Sequence, residues 1–457
     1  MSKKKDETIT IIGAGFVGLS TAAIFSNLGY KVHLIEINPE RLKTIKQGRS
    51  FFYEEGINTL IKHAVDSKRL LPTDRYETAI AESQIIFSCV GTPDNPDGSS
   101  NLTYVYSAAR SSAKLMQPGS VYVQKSTVPV GTGAQVIAAM QEHISEFSYV
   151  SNPEFLREGT ALFDSLYFDR VVVGGEDIEA NQRVLSLYRT MAKHRNNLAK
   201  QAGIKEGYTD GVYTETNLNG AELVKVTANA FLALKISFAN NIAKLADQAG
   251  ADINEIMDAV GADRRIGRAF LNAGRGYGGG CFPKDVSGLI SSAENYGVDM
   301  PIMTAASDIN DSMAGYIANK AQQSLGSLRG KKVAVLGLAF KAGTSDARRS
   351  PGVKIANILD KNGAVVHAYD PKANDEAQDD LRKNIALCDS AAEAIDSADA
   401  VFVTTEWPEF LTYDLTGLRA SMSGSLLVDC VNGFDVGKVV ESGLQYIGVG
   451  RNGDKIS

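Results

Sequence analysis

Short, mostly apolar runs punctuate the chain, separated by helix-period stretches. Thr8 to Ile12, Lys31 to Ile35, Ile85 to Val90, Val121 to Gln124, Phe147 to Val150 and Arg170 to Val173 are each of strand length. The apolar character of Ile85 to Val90 is continuous, which predicts a strand covered on both faces, as in a parallel sheet. Cys89 falls inside the third run and is expected to pack there. A small-residue helix is predicted from about Leu19 to Leu28, closed by Gly29. Residues 195–217 break the rhythm: they are polar, with several Gly, Tyr and Thr, and predict a loop or excursion. Ala221 to Ala249 then reads as one helix without proline. It is longer than an ordinary globular helix, which suits a connecting spine and part of an oligomer interface. The segment 252–325 stays helical in pattern, and βα rhythm returns with Lys332 to Leu336, Pro351 to Lys361 and Val365 to Tyr369.

The two ends echo each other. Gly29, His33 and Glu36 have the spacing of Gly363, His367 and Asp370; Thr78-Ala79-Ile80 before Ile85 is matched by Glu393-Ala394-Ile395 before Ala400. The predicted fold is α/β, with two Rossmann-like doubly wound domains joined by a helical central domain. The expected boundaries are 1–217, 218–327 and 328–457.

Composition narrows the class. Apolar residues make up 44%, charged residues 22%, and the net charge is −6 with both signs interspersed. That describes a soluble globular protein without a nucleic-acid surface. The 4 cysteines and 5 histidines are scattered, so neither a disulfide framework nor a metal site is expected, and a reducing cytoplasm fits. Lys3-Lys4-Lys5 before an apolar run resembles a signal peptide, but Asp6, Glu7 and the glycines 13, 15 and 18 suit a nucleotide-binding strand and turn better. No apolar run is long enough to span a bilayer.

That turn is the first chemical signal. Gly13-Ala14-Gly15-Phe16-Val17-Gly18 follows a strand and opens a helix. In such a turn Gly13 makes the bend, Gly15 admits a pyrophosphate and Gly18 lets helix and strand pack. Glu36, at the end of the second strand, is placed to grip both ribose hydroxyls and would repel a 2′-phosphate, which favours NAD over NADP. Ligands bind beyond strand C-termini in such sheets, so Thr92, Ser126, Thr127 and Glu154 become candidates by position. For each hydroxyl, bonding to its own turn is an equally good reading.

The second signal is Gly276-Tyr277-Gly278-Gly279-Gly280-Cys281-Phe282-Pro283-Lys284-Asp285. Glycines allow close backbone approach to a ligand, and the thiol is followed by a cation and a carboxylate. Alone, the run leaves an activated nucleophile and an inert buried thiol both open. Lys225 and Asn229 share a helix face at i and i+4, and Lys225 is either a snorkelling lysine or a buried cation aimed at a site. The basic turn Asp263 to Arg268 suits an anionic substrate or simply solvent. The second βα domain lacks the three-glycine turn, so Phe340 and Lys341 are expected to hold a different nucleotide there. A hydride acceptor joined to a thiol suggests oxidation of an alcohol past the aldehyde to an acid.

These residues resemble the UDP-glucose/GDP-mannose dehydrogenase family of nucleotide-sugar 6-dehydrogenases over nearly the whole chain. The likeness rests on the glycine turn, Val90-Gly91-Thr92-Pro93, Ser126 to Thr132, Pro153 to Gly159, Glu222-Leu223-Val224-Lys225, Arg265-Ile266-Gly267, the Cys281 turn, Phe340-Lys341 through Thr344, Asp346, Arg348 to Pro351, and Thr405-Glu406-Trp407. The resemblance implies that Cys281 is the nucleophile and that Lys225 and Asn229 stabilise oxyanions. It implies that Thr127, Glu154 and Asp285 order water and move protons, with Glu154 the general base in thioester hydrolysis. It assigns NAD to Gly13, Gly15, Gly18, Glu36, Arg41, Thr92, Thr127, Glu158 and Arg348. It assigns the nucleotide sugar to Phe155, Leu156, Glu158, Lys225, Asn229, Phe270, Gly278, Phe340 and Lys341, with Arg265 donated by the neighbouring subunit of a homodimer or larger assembly. UDP-glucose oxidised to UDP-glucuronate is the implied reaction; GDP-mannose, a UDP-N-acetylhexosamine, or a silent NAD-binding sensor are the alternatives. Gly280 stands where many relatives have Ser, and Val431 stands where relatives carry an Arg that contacts the nucleotide sugar.

Overall fold

The structure is a computed structural model that describes residues 7–95 and 97–451. The Lys3-Lys4-Lys5 run lies outside the described residues. The chain forms two compact units, divided between Ala228 and Asn229 inside one long helix.

The first unit is built on a sheet of strands β1 (Thr8–Ile12), β2 (Lys31–Ile35), β3 (Leu70–Thr73), β4 (Ile85–Ser88), β5 (Ser120–Gln124), β6 (Phe147–Ser151), β7 (Arg170–Gly174) and β8 (Val212–Thr216). Their spatial order is β3-β2-β1-β4-β5-β6-β7-β8. Ladders are parallel except between β6 and β7, which meet antiparallel at Ser151 and Gly174. Side chains alternate between two buried layers. Ile9, Ile11, Leu34, Phe87 and Val123 join one core; Ile12, Ile35, Ile86 and Tyr122 join the other. Two covered faces explain why β4 reads as a continuous apolar run. Four helices matter for the site: α1 (Phe16–Asn27), α2 (Thr132–Gln141), α3 (Ile178–Ala202) and α4 (Leu218–Ala249), the last crossing into the second unit.

The second unit continues with helices α5 (Ile253–Gly261), α6 (Phe282–Asn295), α7 (Pro301–Leu325) and α8 (Pro351–Lys361). Its sheet is wholly parallel and comprises β9 (Lys332–Leu336), β10 (Val365–Tyr369), β11 (Ala386–Leu387), β12 (Ala400–Val403), β13 (Leu426–Asp429) and β14 (Gln445–Gly448), in the order β11-β10-β9-β12-β13-β14. The fold is thus α/β, with two Rossmann-like sheets and a helical region before the second.

Three expectations need correction. The 195–217 excursion is ordered structure at both ends: α3 runs on to Ala202, and Val212–Thr216 is the edge strand β8. An edge strand covered on one side only, with Val212 exposed and Tyr213 turned to the core, does not read as a core strand. The third apolar run stops at Ser88, so Cys89 lies just beyond β4 rather than in it. The first helix begins at Phe16, three residues before the expected start, because Gly15 serves as its N-cap.

Candidate active site

In the first unit the glycine turn is shaped by close approach. Gly13 has φ +94°, and a Cβ there would lie 2.7 Å from the Cys89 carbonyl oxygen. A Cβ at Gly18 would stand 1.9 Å from the Gly13 oxygen, so α1 packs on the turn only because both residues are glycine. Gly15 is different: it is exposed, and no neighbouring atom comes within 4 Å of its missing Cβ. That leaves open space at the N-terminus of α1, where backbone N–H groups and the helix dipole favour a phosphate. Glu36 is buried at the end of β2 and accepts the Asn38 N–H at 2.8 Å. These features fit a dinucleotide whose ribose meets a carboxylate. Arg41 lies nearby on an exposed helix turn, its guanidinium 4.7 Å over the Phe51 ring, and Thr92 is half-buried in the loop after β4.

The ends of β5 and β6 deliver the next group. The Ser126 hydroxyl donates to the Val90 carbonyl at 2.7 Å, so it ties its loop to the one after β4 rather than bonding its own turn, while Thr127 beside it is half-buried. Glu154 is buried and pairs with Lys225 at 3.1 Å, its other oxygen accepting the Leu156 N–H at 2.5 Å. Lys225 is therefore a buried cation, not a snorkelling one. The Phe155 ring lies 5.5 Å from the Lys225 ammonium and 3.9 Å from the Arg170 guanidinium. Leu156 and Glu158 follow, both half-buried. Burial pushes the Cys89 thiol up to about 12, so it is a packing group rather than a nucleophile.

The second unit holds the other thiol. Cys281 is the N-cap of α6 and sits at the positive end of that helix dipole. Its carbonyl accepts the Asp285 N–H at 2.8 Å. The buried Asp285 carboxylate accepts from the Asn229 amide at 2.6 Å and from the Lys284 ammonium at 2.7 Å. The structure thus gathers Asn229, Asp285 and the start of α6 into one cluster. The glycines before Cys281 admit protein rather than empty space. A Cβ at Gly278 would lie 2.3 Å from the Arg349 carbonyl oxygen, one at Gly279 would lie 2.9 Å from the Phe340 ring, and one at Gly280 would lie 2.8 Å from the Arg348 guanidinium. Arg348 in turn holds Asp346 through two bonds of 2.8 and 2.7 Å. Lys341 has its ammonium 5.8 Å from the Phe340 ring. Phe270, at φ +66°, packs against Phe282 with ring centroids 6.1 Å apart and planes tilted by 50°. Arg265 is 89% exposed and hydrogen-bonds to Asp263 in its own turn.

Sequence reasoning passed over Arg275. Its guanidinium is buried and donates to Glu406 at 2.9 Å and to the Phe340 carbonyl at 2.8 Å. Its N–H donates to the Cys430 carbonyl at 2.8 Å, next to Val431. An arginine in a glycine-rich loop was the only signal. The second sheet also has a hidden counterpart of the first turn. Gly337 has φ +114°, and a Cβ at Gly352 would come within 2.3 Å of its oxygen, as Gly18 does to Gly13. Asp370, the counterpart of Glu36, is occupied by its own fold: it accepts N–H bonds from Leu338, Ala339, Lys372 and Ala373 and one from the Trp407 indole.

Among the described residues, no group of three or more His, Cys, Asp or Glu is placed to hold a metal ion. Models of one family match along the chain: its NAD binding domain at residues 7–192, its central domain at 219–312 and its UDP binding domain at 334–436. A UDP-glucose 6-dehydrogenase of Rhizobium meliloti (strain 1021) is 38% identical over 452 residues, covering 97% of this chain and 99% of that one. The structure of a UDP-glucose dehydrogenase from the archaeon Pyrobaculum islandicum is 36% identical with TM-score 0.87, covering 98% of this chain and 99% of that one. A UDP-D-ManNAc dehydrogenase structure from Pyrococcus horikoshii is 28% identical with TM-score 0.84, covering 98% of this chain and all of that one. NAD, the cofactor expected from the glycine turn and Glu36, is the one that the matched N-terminal model binds. With all three domain models matched in order and a relative this similar over nearly its full length, the chain belongs to the UDP-glucose/GDP-mannose dehydrogenase family.

Proposed function

We propose that the protein oxidises the C6 hydroxyl of UDP-glucose to a carboxylate, giving UDP-glucuronate, with two NAD consumed per sugar. The observation that carries this reading is Cys281 at the head of α6, with Asp285 one turn on and hydrogen-bonded to Asn229. NAD, when bound, takes up the hydride of each oxidation. The Cys281 thiolate adds to the C6 aldehyde, and the resulting oxyanion is stabilised by the Lys225 ammonium and the Asn229 amide. Loss of hydride from the thiohemiacetal leaves a thioester on Cys281. Glu154, with Thr127 and Asp285 ordering the proton path, draws a proton from water. That water's oxygen bonds to C6, the C–S bond breaks, and the thiolate returns. In this reading residues 1–217 hold NAD, 218–327 carry Cys281 and the oligomer surface, and 328–457 bind the UDP-sugar through Phe340 and Lys341.

The enzyme acts as a homodimer or larger assembly. Phe231, Phe238 and Leu245, 58%, 48% and 64% exposed, recur every seven residues along α4, which suits packing against another copy. Arg265, highly exposed, is the residue expected to serve the neighbouring copy. No helix among the described residues is long and apolar enough to cross a membrane, and a cytoplasmic location belongs to the reading. Val431 favours testing a second sugar class, because the arginine of relatives is missing there.

Replacing Cys281 with Ser tests the mechanism. Turnover should vanish while NAD still binds. Undiminished turnover in the variant would remove the thiol from the reaction, and a parent with no turnover on any nucleotide sugar would make the protein a sensor.

A further inference from the structure

Helix α2 begins at Gly131, which has φ +88° and no side chain to cap the helix. The cap comes instead from a distant residue. Glu222 on α4 is 2% exposed, and its two carboxylate oxygens accept the Gly131 and Gly133 N–H groups at 2.7 Å each. The first turn of α4 is gripped on two further sides. A Cβ at Gly133 would lie 2.8 Å from the Leu218 side chain, and one at Gly174 would lie 2.4 Å from the Asn217 oxygen and 2.5 Å from the Ala221 Cβ. Lys225 follows Glu222 at i+3, on the same side of the helix, with its ammonium 3.1 Å from Glu154. Thr127 stands four residues before Gly131, in the loop that leads into α2.

We propose that Glu222 is a positioning residue for the reaction: its carboxylate, clamped on the Gly131 and Gly133 amides, sets the helix that carries Lys225 against the loop that carries Thr127. This rests on the reading of Lys225 and Thr127 as working residues. A side-chain cap could have come from within the loop, as Asn38 and Asp177 provide for other helices. Here it comes from one turn before the lysine, so the cap and the aim of Lys225 are one constraint. Both N–H donors converge on a single carboxylate. A glutamine would accept from one and turn its own N–H₂ towards the other.

The test is steady-state kinetics of Glu222→Gln, Gly133→Ala and Lys225→Met on the full chain, with amide exchange followed at 131–133. Glu222→Gln should expose those amides and lower kcat at least tenfold, since small misplacements of positioned groups cost up to about a hundredfold. The KM for NAD should move less than kcat does, because Gly13, Gly15, Gly18 and Glu36, proposed to hold the cofactor, lie away from the clamp. Gly133→Ala displaces Leu218 while leaving Glu222 intact; it should lower kcat in the same way, and it serves if Glu222→Gln does not fold. A kcat within twofold of the parent in either folded variant, with the amides exposed in Glu222→Gln, would overturn the proposal and leave Glu222 a helix cap. Full activity in Lys225→Met would overturn instead the role given to Lys225.

Discussion

Lys225 and Glu154 face each other at 3.1 Å with less than a tenth of either side chain exposed. Attraction in such a pair roughly offsets desolvation, but removing one partner leaves a buried charge uncompensated, at a cost of about 3–5 kcal/mol. Lys225→Met should therefore lower the urea midpoint markedly. Adding Glu154→Gln should recover part of the loss, because the stranded charge is gone. Losses that simply add in the double variant would show that the two groups do not depend on each other.

Gly278 and Gly280 make opposite predictions although they lie two residues apart. At Gly280 the obstacle is the end of the exposed Arg348 side chain, whose shift loosens a surface ion pair to Asp346 worth about 1 kcal/mol or less. Gly280→Ser should fold within about 1 kcal/mol of the parent. At Gly278 the obstacles are the Arg349 carbonyl oxygen at 2.3 Å and Pro351 at 2.9 Å. Backbone cannot swing, so Gly278→Ala should cost about 1–3 kcal/mol and depress turnover. Thermal melts and initial rates of the two variants check both.

Glu222 gives a pH dependence. Burial pushes its carboxyl up to about 7, from 4.5 for an ordinary glutamic acid, against the opposing pull of the Gly131 and Gly133 amides. A carboxyl whose folded-state value is raised favours folding most below its unfolded value, and that contribution is lost as pH rises towards 7. The difference amounts to about 3 kcal/mol at most. Between pH 5 and 7.5 the parent should lose stability relative to Glu222→Gln. Parallel stability curves for the two proteins across that range would show that Glu222 keeps an ordinary carboxyl value.

Arg275 joins the loop before Cys281 to the Phe340 carbonyl and Glu406. Arg275→Met removes both bonds and should cost about 1–3 kcal/mol. It should also weaken UDP-glucose binding, proposed to run through Phe340 and Lys341, more than the NAD affinity, most of whose proposed contacts (Gly13, Gly15, Gly18, Glu36) lie in the first unit. Calorimetric titration with each ligand separates the two effects. Equal weakening of both would mean that Arg275 supports the fold at large.

What the sequence disclosed follows burial. Strands β1, β2, β9 and β10 appear at the residues expected because their largely apolar runs stop at Gly13, Glu36, Gly337 and Asp370, and helix α8 because it opens on Pro351 and closes just before Gly363. Strand β8 escaped notice because an edge strand buries one side only. The Gly337–Gly352 pair was invisible because the residues that meet in space are separated by a 14-residue loop rather than the four of the first turn. The glycines before Cys281 read as room for a ligand, whereas three of them make room for Arg349, Phe340 and Arg348. The residues proposed to do the chemistry, Cys281, Lys225, Asn229, Asp285 and Glu154, stood out by residue type and spacing. Glu222 entered only as part of a motif, with no role of its own, and Arg275 did not stand out, because their partners lie far along the chain.

The most direct measurement is the number of NADH formed per nucleotide sugar consumed, with UDP-glucose, GDP-mannose and UDP-N-acetylglucosamine run side by side. The account predicts two NADH per UDP-glucose and no turnover with the others. One NADH per sugar would contradict it, because oxidation would then end at the aldehyde and Cys281 would have no part in it.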